Sequence, residues 1–306
     1  KKSKKKKREK TLFKQKTKWD AGQIWRSLLV LIKSIVFYIF DSIVMLENSV
    51  SKKNSKKSIV LIRQDAIGDF IIWLDTAKEY RKLYPSHEYE IILVGNELWY
   101  DLAKELPHWD KVIPVNFHKF KTISRYRRYI LKQIKNLQAD IAIQPTYSRE
   151  FYHGDSLARA SGAYRKISSS GDMSNRNRLK KWLANRWHTE LIPATIEPLT
   201  ELERNAEFFS KLIKNNYSPE YTKLETHNFG KIQGFKHDDY YVLSIGAEKK
   251  YREWGIDSYT AIAQLIYKHT GWVGIISGVE KDFNLGEKIQ SLSGVPLENL
   301  AGNTSL

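Results

Sequence analysis

The chain has 306 residues, of which 42% are hydrophobic and 12% aromatic, a composition that is typical of folded domains and excludes a disordered protein. It contains no cysteine, which excludes disulfides, thiolate metal sites and a cysteine nucleophile and fits a reducing compartment. The formal net charge is +17, but residues 1–57 alone hold 17 Lys/Arg and only 4 Asp/Glu. The basic character therefore belongs mostly to an N-terminal tail, and without an RNA-binding or zinc-finger signature we expect no nucleic-acid partner.

The N-terminal segment combines a Lys-rich tail with an apolar helix predicted over Ile24–Leu46. This helix is nearly long enough to span a bilayer, yet Arg26, Lys33 and Asp41 interrupt it. On a helical wheel its polar side chains gather mostly in one half of the circumference. The pattern favours a helix lying in the membrane interface, so residues 1–46 are predicted to bind an anionic membrane surface. A membrane span and a helix packed on its own protein are the alternatives.

After a polar linker, strands and helices alternate along the chain. Strands are predicted at Ile59–Arg63, Tyr89–Val94, Lys111–Val115, Asp140–Gln144, Tyr164–Ile167, Tyr240–Ile245 and Trp272–Ser277. Helices are predicted at Asp69–Tyr84, Glu97–Leu106, Ile123–Leu137, Ser156–Ser161, Glu197–Asn215, Asp257–His269 and Glu280–Ser291. Residues 168–185 are predicted to form an irregular loop. This alternation predicts parallel sheets with crossover helices.

The predicted fold class is therefore α/β, with two Rossmann-like lobes that follow the N-terminal segment of residues 1–57. Residues 58–196 are predicted to form the first lobe, residues 197–239 a bridging helix and linker, and residues 240–306 the second lobe. Because only two strands are predicted in the second lobe, we expect that lobe to be incomplete.

The first candidate motif follows the first strand, where Arg63 is followed by the sequence I-G-D that ends at Asp69. Ligands of open α/β sheets bind at the carboxyl ends of the strands, so this loop brings one guanidinium and one carboxylate to a predicted crevice. Asp69 has two interpretations, a general base at the mouth of that crevice or a helix N-cap.

Two further motifs lie in the second lobe, again at strand ends. Gly246 and Ala247 precede a basic loop with Arg252, an arrangement that suits a diphosphate, although a solvated basic loop is the alternative. Glu280 follows a Ser-Gly-Val turn and is predicted either to accept hydrogen bonds from ribose hydroxyls or to stabilise a helix N-terminus.

The order and spacing of these motifs resemble glycosyltransferase family 9, the bacterial lipopolysaccharide heptosyltransferase-like enzymes. In the first lobe, Arg63–Asp69 matches the family's R-x-x-x-(I/L)-G-D loop. In the second lobe, the family's G-A-(S/T) and K-R-W-P elements are matched by Gly246, Ala247, Arg252 and Trp254. Gly278–Glu280 matches its G-x-x-E turn, and Asn299–Leu306 matches its N-L-A-G-x-T-S-L string. The resemblance covers about residues 58–306.

The resemblance implies a GT-B fold and an inverting transfer of a sugar, heptose by family default, from a nucleotide-diphosphate sugar to a lipopolysaccharide-core or other lipid-linked glycan acceptor. It implies that Asp69 takes the proton from the acceptor hydroxyl, with Arg63 and Gly68 as acceptor-side or structural support. The implied donor-binding residues are Gly246, Ala247, Arg252 and Glu280. No cofactor and no metal are implied, since no D-x-D motif occurs. With the N-terminal segment, the resemblance implies a cytoplasmic protein, peripheral on the inner face of the cytoplasmic membrane.

The basic helix of residues 123–137 is predicted to face either an anionic acceptor or solvent. Its basic residues are Arg125, Arg127, Arg128, Lys132 and Lys135.

The sequence also departs from the family pattern. Glu253 and Gly255 stand in place of the usual basic residue and Pro, and the D-T-G-x-x-H element does not occur before Leu306. We therefore expect this chain alone to be inactive or severely impaired. Two other functions stay open, a non-catalytic sugar-nucleotide-binding protein on the same fold and a nucleic-acid-binding protein that uses the Lys-rich tail.

Overall fold

A computed structural model of the chain describes residues 21–48, 56–224, 236–247 and 250–304. The chain divides into two compact units, Lys1–Lys223 and Leu224–Leu306. The predicted Lys-rich tail and most of the predicted linker after the first helix lie outside the described residues, as do Glu248 and Lys249 of the basic loop and the last two residues of the chain.

The first unit is built on a six-stranded sheet in which every strand pair is parallel. The strands are β1 Lys57–Arg63, β2 Tyr89–Asn96, β3 Lys111–Val115, β4 Ile141–Gln144, β5 Arg165–Ser169 and β6 Glu190–Ile192. Their spatial order is β3-β2-β1-β4-β5-β6, so the direction of winding reverses between β1 and β4. Such a switch point leaves a crevice beyond the carboxyl ends of the two strands, which is where ligands of this sheet type bind.

The central position of β1 follows from its sequence. Residues Ser58 through Arg63 are all buried, because helices cover both faces of a parallel sheet and favour a continuous apolar, β-branched run. Ile59 pairs with Ile91 of β2 on one side and with Ile141 of β4 on the other. This burial carries the polar Arg63 into the interior at the end of the strand.

The first unit has eight α-helices within the described residues. They are α1 Ala21–Leu46, α2 Ile67–Leu83, α3 Tyr100–Lys104, α4 Phe117–Thr122, α5 Ser124–Asn136, α6 Gly154–Ala160, α7 Arg178–Asn185 and α8 Glu201–Ile213. The irregular loop predicted over residues 168–185 is wrong in its second half, because α7 forms there with Asn177 as its N-cap. The short β6, which no strand prediction covered, follows α7.

The helix predicted over Glu197–Asn215 is α8, which is shorter at both ends. Thr200 and Glu203 form a capping box that fixes its start, and Lys214 ends it in the left-handed conformation. The helix packs on α2 in the first unit, where the ring of Phe209 lies 5.2 Å from that of Tyr80.

The long N-terminal helix α1 packs on α5 and α6 through polar side chains. Arg127 of α5 binds the buried Asp41 through two hydrogen bonds of 2.6 Å, and Ser34 lies 2.8 Å from the Tyr152 hydroxyl. Arg128 and Lys132 of α5 bind Glu47, and Lys135 donates to the Met45 carbonyl. Arg125 and Arg128 are exposed, so α5 also has the predicted solvent-facing basic side chains.

The second unit has a three-stranded parallel sheet of order β7-β8-β9 in its described part. Its strands are β7 Tyr240–Ser244, β8 Val273–Ser277 and β9 Leu297–Asn299, and its helices are α9 Ile256–Thr270 and α10 Phe283–Ser293. The prediction of two strands here is wrong, because β9 adds a third beside β8. The buried core of this unit is formed by Leu243, Ile245, Ala263, Ile276, Ile289 and Leu297.

Candidate functional site

A pocket of about 420 Å³ lies at the carboxyl ends of β1 and β4. It occupies the switch point of the first sheet, where the sequence predicts the ligand crevice. Its lining residues are Gln64, Asp65, Ala66, Asp69, Phe117, Thr146, Tyr147, Ser148, Glu150, His153, Asn175 and Glu201.

Arg63 lies directly behind this pocket and is fully buried. Its guanidinium binds three side chains: Nε lies 2.5 Å from Asp65, Nη2 lies 2.6 Å from Glu201, and Nη1 donates to Asn205 at 3.0 Å. Burial alone would lower the pKa of Arg63, but the charges of Asp65 and Glu201 outweigh burial and raise it. Arg63 is therefore a charged structural centre that fixes two of the pocket carboxylates.

Asp69 is exposed and lines the pocket. Helix α2 begins at Ile67, and Ala66 occupies the N-cap position. The interpretation of Asp69 as the N-cap is therefore wrong, because Asp69 is the third residue of the helix. The carboxylate instead stands in the first helical turn, where the helix dipole favours negative charge. Arg63 reaches the backbone carbonyl of Asp69 at 3.5 Å and pairs with other carboxylates.

Gly68 precedes Asp69 in the first turn of α2. A Cβ atom at this position would meet no heavy atom within 4 Å, so packing does not require glycine there.

Four carboxylates give the pocket an acidic wall, and they belong to Asp65, Asp69, Glu150 and Glu201. Burial raises the pKa of Glu201, with the charges of Asp65 and Asp69 acting in the same direction and Arg63 opposing them. The described lining of the pocket therefore has an excess of acidic side chains over the single guanidinium of Arg63 behind it.

Glu150 and His153 form a pair on the far wall, with 2.8 Å between a Glu150 oxygen and His153 Nδ1. The hydrogen bond from His153 lowers the pKa of Glu150 and outweighs its partial burial. The His153 ring also packs against Phe117, with 5.0 Å between the ring centroids.

In the second unit, the loops after β7, β8 and β9 meet around Asp282 and Glu280. A Cβ at Gly246 would lie 2.3 Å from an Asp282 carboxylate oxygen, and one at Gly302 would lie 2.8 Å from the Glu280 Cα. Asp282 also accepts a hydrogen bond of 3.1 Å from the backbone N–H of Val279. Glycine is therefore required at these loops by close approach of neighbouring backbone and side chains.

The remaining predicted donor residues lie in the same loops. The Ala247 carbonyl accepts a hydrogen bond of 3.2 Å from Lys281, which joins the loop after β7 to the loop after β8. Arg252 is exposed in the short turn Lys250–Arg252 before α9. Glu280 is exposed after β8 and opens a short turn that leads into α10.

The structure thus brings Arg63, Gly68 and Asp69 together in one unit, and Gly246, Ala247 and Glu280 together in the other. Sequence reasoning missed several polar residues of these sites, namely Asp65, Glu150, His153, Glu201 and Asp282. Asp65 stands two residues after Arg63 and could have been found from the strand end. Glu201 carried no such signal, because its approach to Arg63 joins positions 138 residues apart.

Within the described ranges, no group of three or more His, Cys, Asp or Glu side chains is arranged to hold a metal ion. Two of the four pocket carboxylates, those of Asp65 and Glu201, bind the Arg63 guanidinium instead.

Two units of parallel α/β structure, each with polar loops at the carboxyl ends of its strands, define a GT-B type of fold with Rossmann-like lobes. The chain is similar to the crystal structure of the glycosyl transferase family 9 protein from Veillonella parvula, with a TM-score of 0.63 and 15% identity over 84% of this chain and 73% of that chain. It is also similar to the E. coli heptosyltransferase WaaC with ADP, with a TM-score of 0.62 and 14% identity over 81% of this chain and 75% of that chain.

A third similar structure is E. coli ADP-heptose lps heptosyltransferase II, with a TM-score of 0.56 and 15% identity over 81% of this chain and 73% of that chain. No protein-family model matches the sequence, and no curated protein matches it. The structural likenesses confirm the predicted fold class and, at the level of the fold, the resemblance to glycosyltransferase family 9.

Proposed function

We propose that the protein is an inverting glycosyltransferase that moves a sugar, heptose by family default, from a nucleotide-diphosphate sugar to a lipopolysaccharide-core or other lipid-linked glycan. The reaction would take place at the inner face of the cytoplasmic membrane. The fold likeness supports this class of activity, and similar structures were solved with ADP and with ADP-2-deoxy-2-fluoro heptose.

The observation that carries the proposal is the arrangement of carboxylates around Arg63. Asp65 and Glu201 neutralise the guanidinium, while the exposed Asp69 carboxylate remains at the open side of the pocket beside Gly68. A carboxylate outside the ion pairs keeps its lone pairs available for a proton. Asp69 is therefore the best-placed general base among the pocket carboxylates.

In the proposed mechanism Asp69 removes the proton from an acceptor hydroxyl as the hydroxyl oxygen attacks the anomeric carbon of the donor. The bond from that carbon to the diphosphate breaks as the new glycosidic bond forms, which inverts the configuration. The nucleotide diphosphate leaves with the electron pair, and the proton stays on Asp69 until solvent removes it.

The acidic side chains of the pocket restrict the charge of the acceptor sugar that can bind there. With four carboxylates lining the pocket, a sugar bearing a carboxylate or phosphate at the reacting ring would be repelled. We therefore infer that the ring that enters the pocket is uncharged, and that any anionic group of the acceptor lies outside it.

On the donor side, the proposal uses the loops at the carboxyl edge of the second sheet. Backbone N–H groups near Gly246 and Ala247 suit the diphosphate, and Glu280 suits ribose hydroxyls. Arg252 would take the place of the family's usual Lys at the donor phosphates, and its planar guanidinium can bind two phosphate oxygens at once. We propose that this cation, and not a metal ion, balances the charge of the leaving diphosphate.

The test is a donor screen in which release of ADP, UDP or GDP from their sugar conjugates is followed with lipid-linked glycan acceptors present. The substitution Asp69→Asn is expected to lower transfer by about 100-fold or more, because general base catalysis is lost. Binding of the nucleotide, measured by calorimetry, is expected to stay unchanged.

The matched control is Asp101→Asn, which changes an exposed aspartate that pairs with Lys104 and does not line the pocket. It should leave both transfer and nucleotide binding as in the wild type. Nucleotide binding without transfer for any donor and acceptor would favour the non-catalytic sugar-nucleotide-binding protein. Loss of nucleic-acid affinity on removal of residues 1–57, with donor binding absent from the whole chain, would favour the nucleic-acid-binding alternative.

A further inference from the structure

Helix α1 has an apolar face that points away from the protein. The side chains at its regular outward positions, Ile32, Ile35, Ile39 and Ile43, are each about half exposed. The stretch Leu28–Leu46 is apolar enough by length and composition to cross a membrane, and only 17% of it is buried. An exposed apolar surface of this size marks a protein or membrane contact.

The opposite side of α1 holds the helix to the first unit. Its contacts with the protein include the Asp41–Arg127 pair, the Ser34–Tyr152 hydrogen bond and a hydrogen bond of 2.6 Å from Arg159 to Ser42. Val44 joins the main core cluster of the unit. Of the polar side chains that the sequence places on one side of this helix, Ser34 and Asp41 are thus buried against the protein, whereas Lys33 is exposed.

This docking decides between a helix that lies along the membrane and one that crosses it. To cross, α1 would have to leave α5 and expose Asp41 to the bilayer interior, while Arg127 would stay buried without its partner. Both changes are costly, because an unpaired charge is strongly disfavoured in lipid and in a protein core. A docked α1 can meet lipid only through its outward face.

The charge of the adjoining chain points to the kind of surface that α1 meets. Residues 1–20, which lead directly into α1, hold 11 Lys/Arg and 2 Asp/Glu. Basic residues next to an interfacial helix are attracted to the anionic lipids of a membrane surface. A second copy of this chain, whose residues 58–306 hold 34 Lys/Arg and 30 Asp/Glu, lacks that complementarity.

We propose that α1 lies in the plane of an anionic lipid bilayer, docked on the protein by its polar side and inserted by its outward apolar face between headgroups and acyl chains. The anchor holds the first unit at the membrane surface. Membrane binding through α1 does not depend on sugar transfer, so this proposal is tested separately from the proposed function.

The experiment measures binding of the whole chain to vesicles of phosphatidylcholine alone and of phosphatidylcholine with phosphatidylglycerol. Binding is expected to the anionic vesicles and to weaken in high salt. The double substitution Ile35→Asp with Ile39→Asp is expected to lower the partition by about tenfold or more, since two apolar side chains no longer enter the lipid. The matched control, Leu265→Asp with Leu292→Asp, changes two exposed leucines on helices of the second unit and should bind as the wild type.

The orientation of α1 is tested by spin labels, because the chain has no cysteine of its own. Single labels at Ile32→Cys and Ile43→Cys, read by accessibility to oxygen and to a water-soluble nickel reagent, should report the same shallow depth. A spanning helix would separate the two depths by about 16 Å, since each helical residue rises about 1.5 Å.

Unequal depths, or resistance to carbonate extraction, would overturn the in-plane anchor in favour of a span. Wild-type vesicle binding by the outward-face double variant would overturn the role of that face. If the wild type is a dimer that binds neither kind of vesicle, and the outward-face double variant is a monomer, the apolar face of α1 contacts a second copy of the chain instead of lipid. Circular dichroism of each variant confirms that it is folded before these outcomes are compared.

Discussion

At the scale of single residues, Arg63 sets the charge balance of the first-unit pocket. One guanidinium faces Asp65 and Glu201 at ion-pair distance, and both pairs are shielded from water on the Arg63 side. A third carboxylate, Asp69, therefore adds negative charge that Arg63 does not directly pair. This imbalance supports the proposal that Asp69 is the carboxylate that accepts the proton of the acceptor hydroxyl.

A second residue, His188, makes a prediction about acid stability. Burial, together with the charge of Arg149, lowers the pKa of His188 to about 3, and its Nδ1 lies 2.9 Å from the Ala184 carbonyl oxygen. An unfolded histidine takes up a proton below about pH 6.5, whereas the folded one stays neutral until about pH 3. The free energy of unfolding therefore has its full value well above pH 6.5 and decreases as the pH is lowered. Between pH 7 and pH 5 the His188 contribution to this decrease is about 2 kcal/mol.

The measurement is denaturant unfolding of the wild type and of His188→Asn at both pH values. Asparagine can still donate to the Ala184 carbonyl but does not titrate, so the variant should lose about 2 kcal/mol less than the wild type. His87→Asn, at an exposed histidine, is the control and should behave as the wild type. Equal acid losses in wild type and His188→Asn would show that His188 is not the group responsible.

The pocket was predictable from sequence only as far as its residues lie in one segment. Arg63 and Asp69 share a strand end and a helix start, so an α/β pattern places them at the crevice without further knowledge. The sequence predicts the helix start at Asp69, two residues later than Ile67, because Ala66 is not a residue that marks an N-cap. Glu201 and Glu150 reach the pocket only through tertiary packing, which no local pattern encodes.

At the scale of elements, the sequence does not predict the shortest strands. Long apolar strands such as β1 were found because burial on both faces demands a continuous apolar run. The three-residue strands β6 and β9 have too few residues for such a pattern and depend on a neighbouring strand for their hydrogen bonds. Helix α1 was found at nearly its observed length, but which of its sides faces the protein depends on Arg127, far along the chain.

The loop after β9 gives a prediction for the donor site. Gly302 has a φ of +79°, and a Cβ there would lie 2.8 Å from the Glu280 Cα. The substitution Gly302→Ala should therefore strain the loop by about 1–2 kcal/mol and also displace Glu280. If Glu280 contacts the nucleoside, the dissociation constant for the nucleotide should rise by about tenfold, which corresponds to about 1.4 kcal/mol.

Gly294 offers a matched control in the same unit. It has a φ of +62° but a Cβ there would meet nothing within 4 Å, so Gly294→Ala carries the backbone strain without the collision. Calorimetric titration with ADP, UDP or GDP should give wild-type affinity for Gly294→Ala and weakened affinity for Gly302→Ala. The same affinity in both variants would remove Glu280 from the proposed donor site.

At the scale of the whole molecule, each unit has its own apolar core. The core of the first unit gathers around its six-stranded sheet, and that of the second around β7–β9. Charge is divided as well, since the excess of basic residues lies mainly before residue 58. The proposed membrane attraction and the proposed sugar transfer therefore belong to different parts of the chain, which can be changed one at a time.

Because the cores are separate, we expect a substitution in the core of one unit to destabilise that unit and not the other. Ile276 of β8 is fully buried in the second core, and Ile143 of β4 is fully buried in the first unit. Replacing either by alanine should cost about 2–5 kcal/mol through lost burial and the cavity left behind. In hydrogen exchange followed by mass spectrometry, Ile276→Ala should reduce protection in peptides covering β7–β9 and leave those covering β1–β6 unchanged, and Ile143→Ala should do the reverse. Because exchange from a cooperatively unfolding body reports the stability of that whole body, equal loss of protection in all nine strands with either variant would mean that the two cores unfold together.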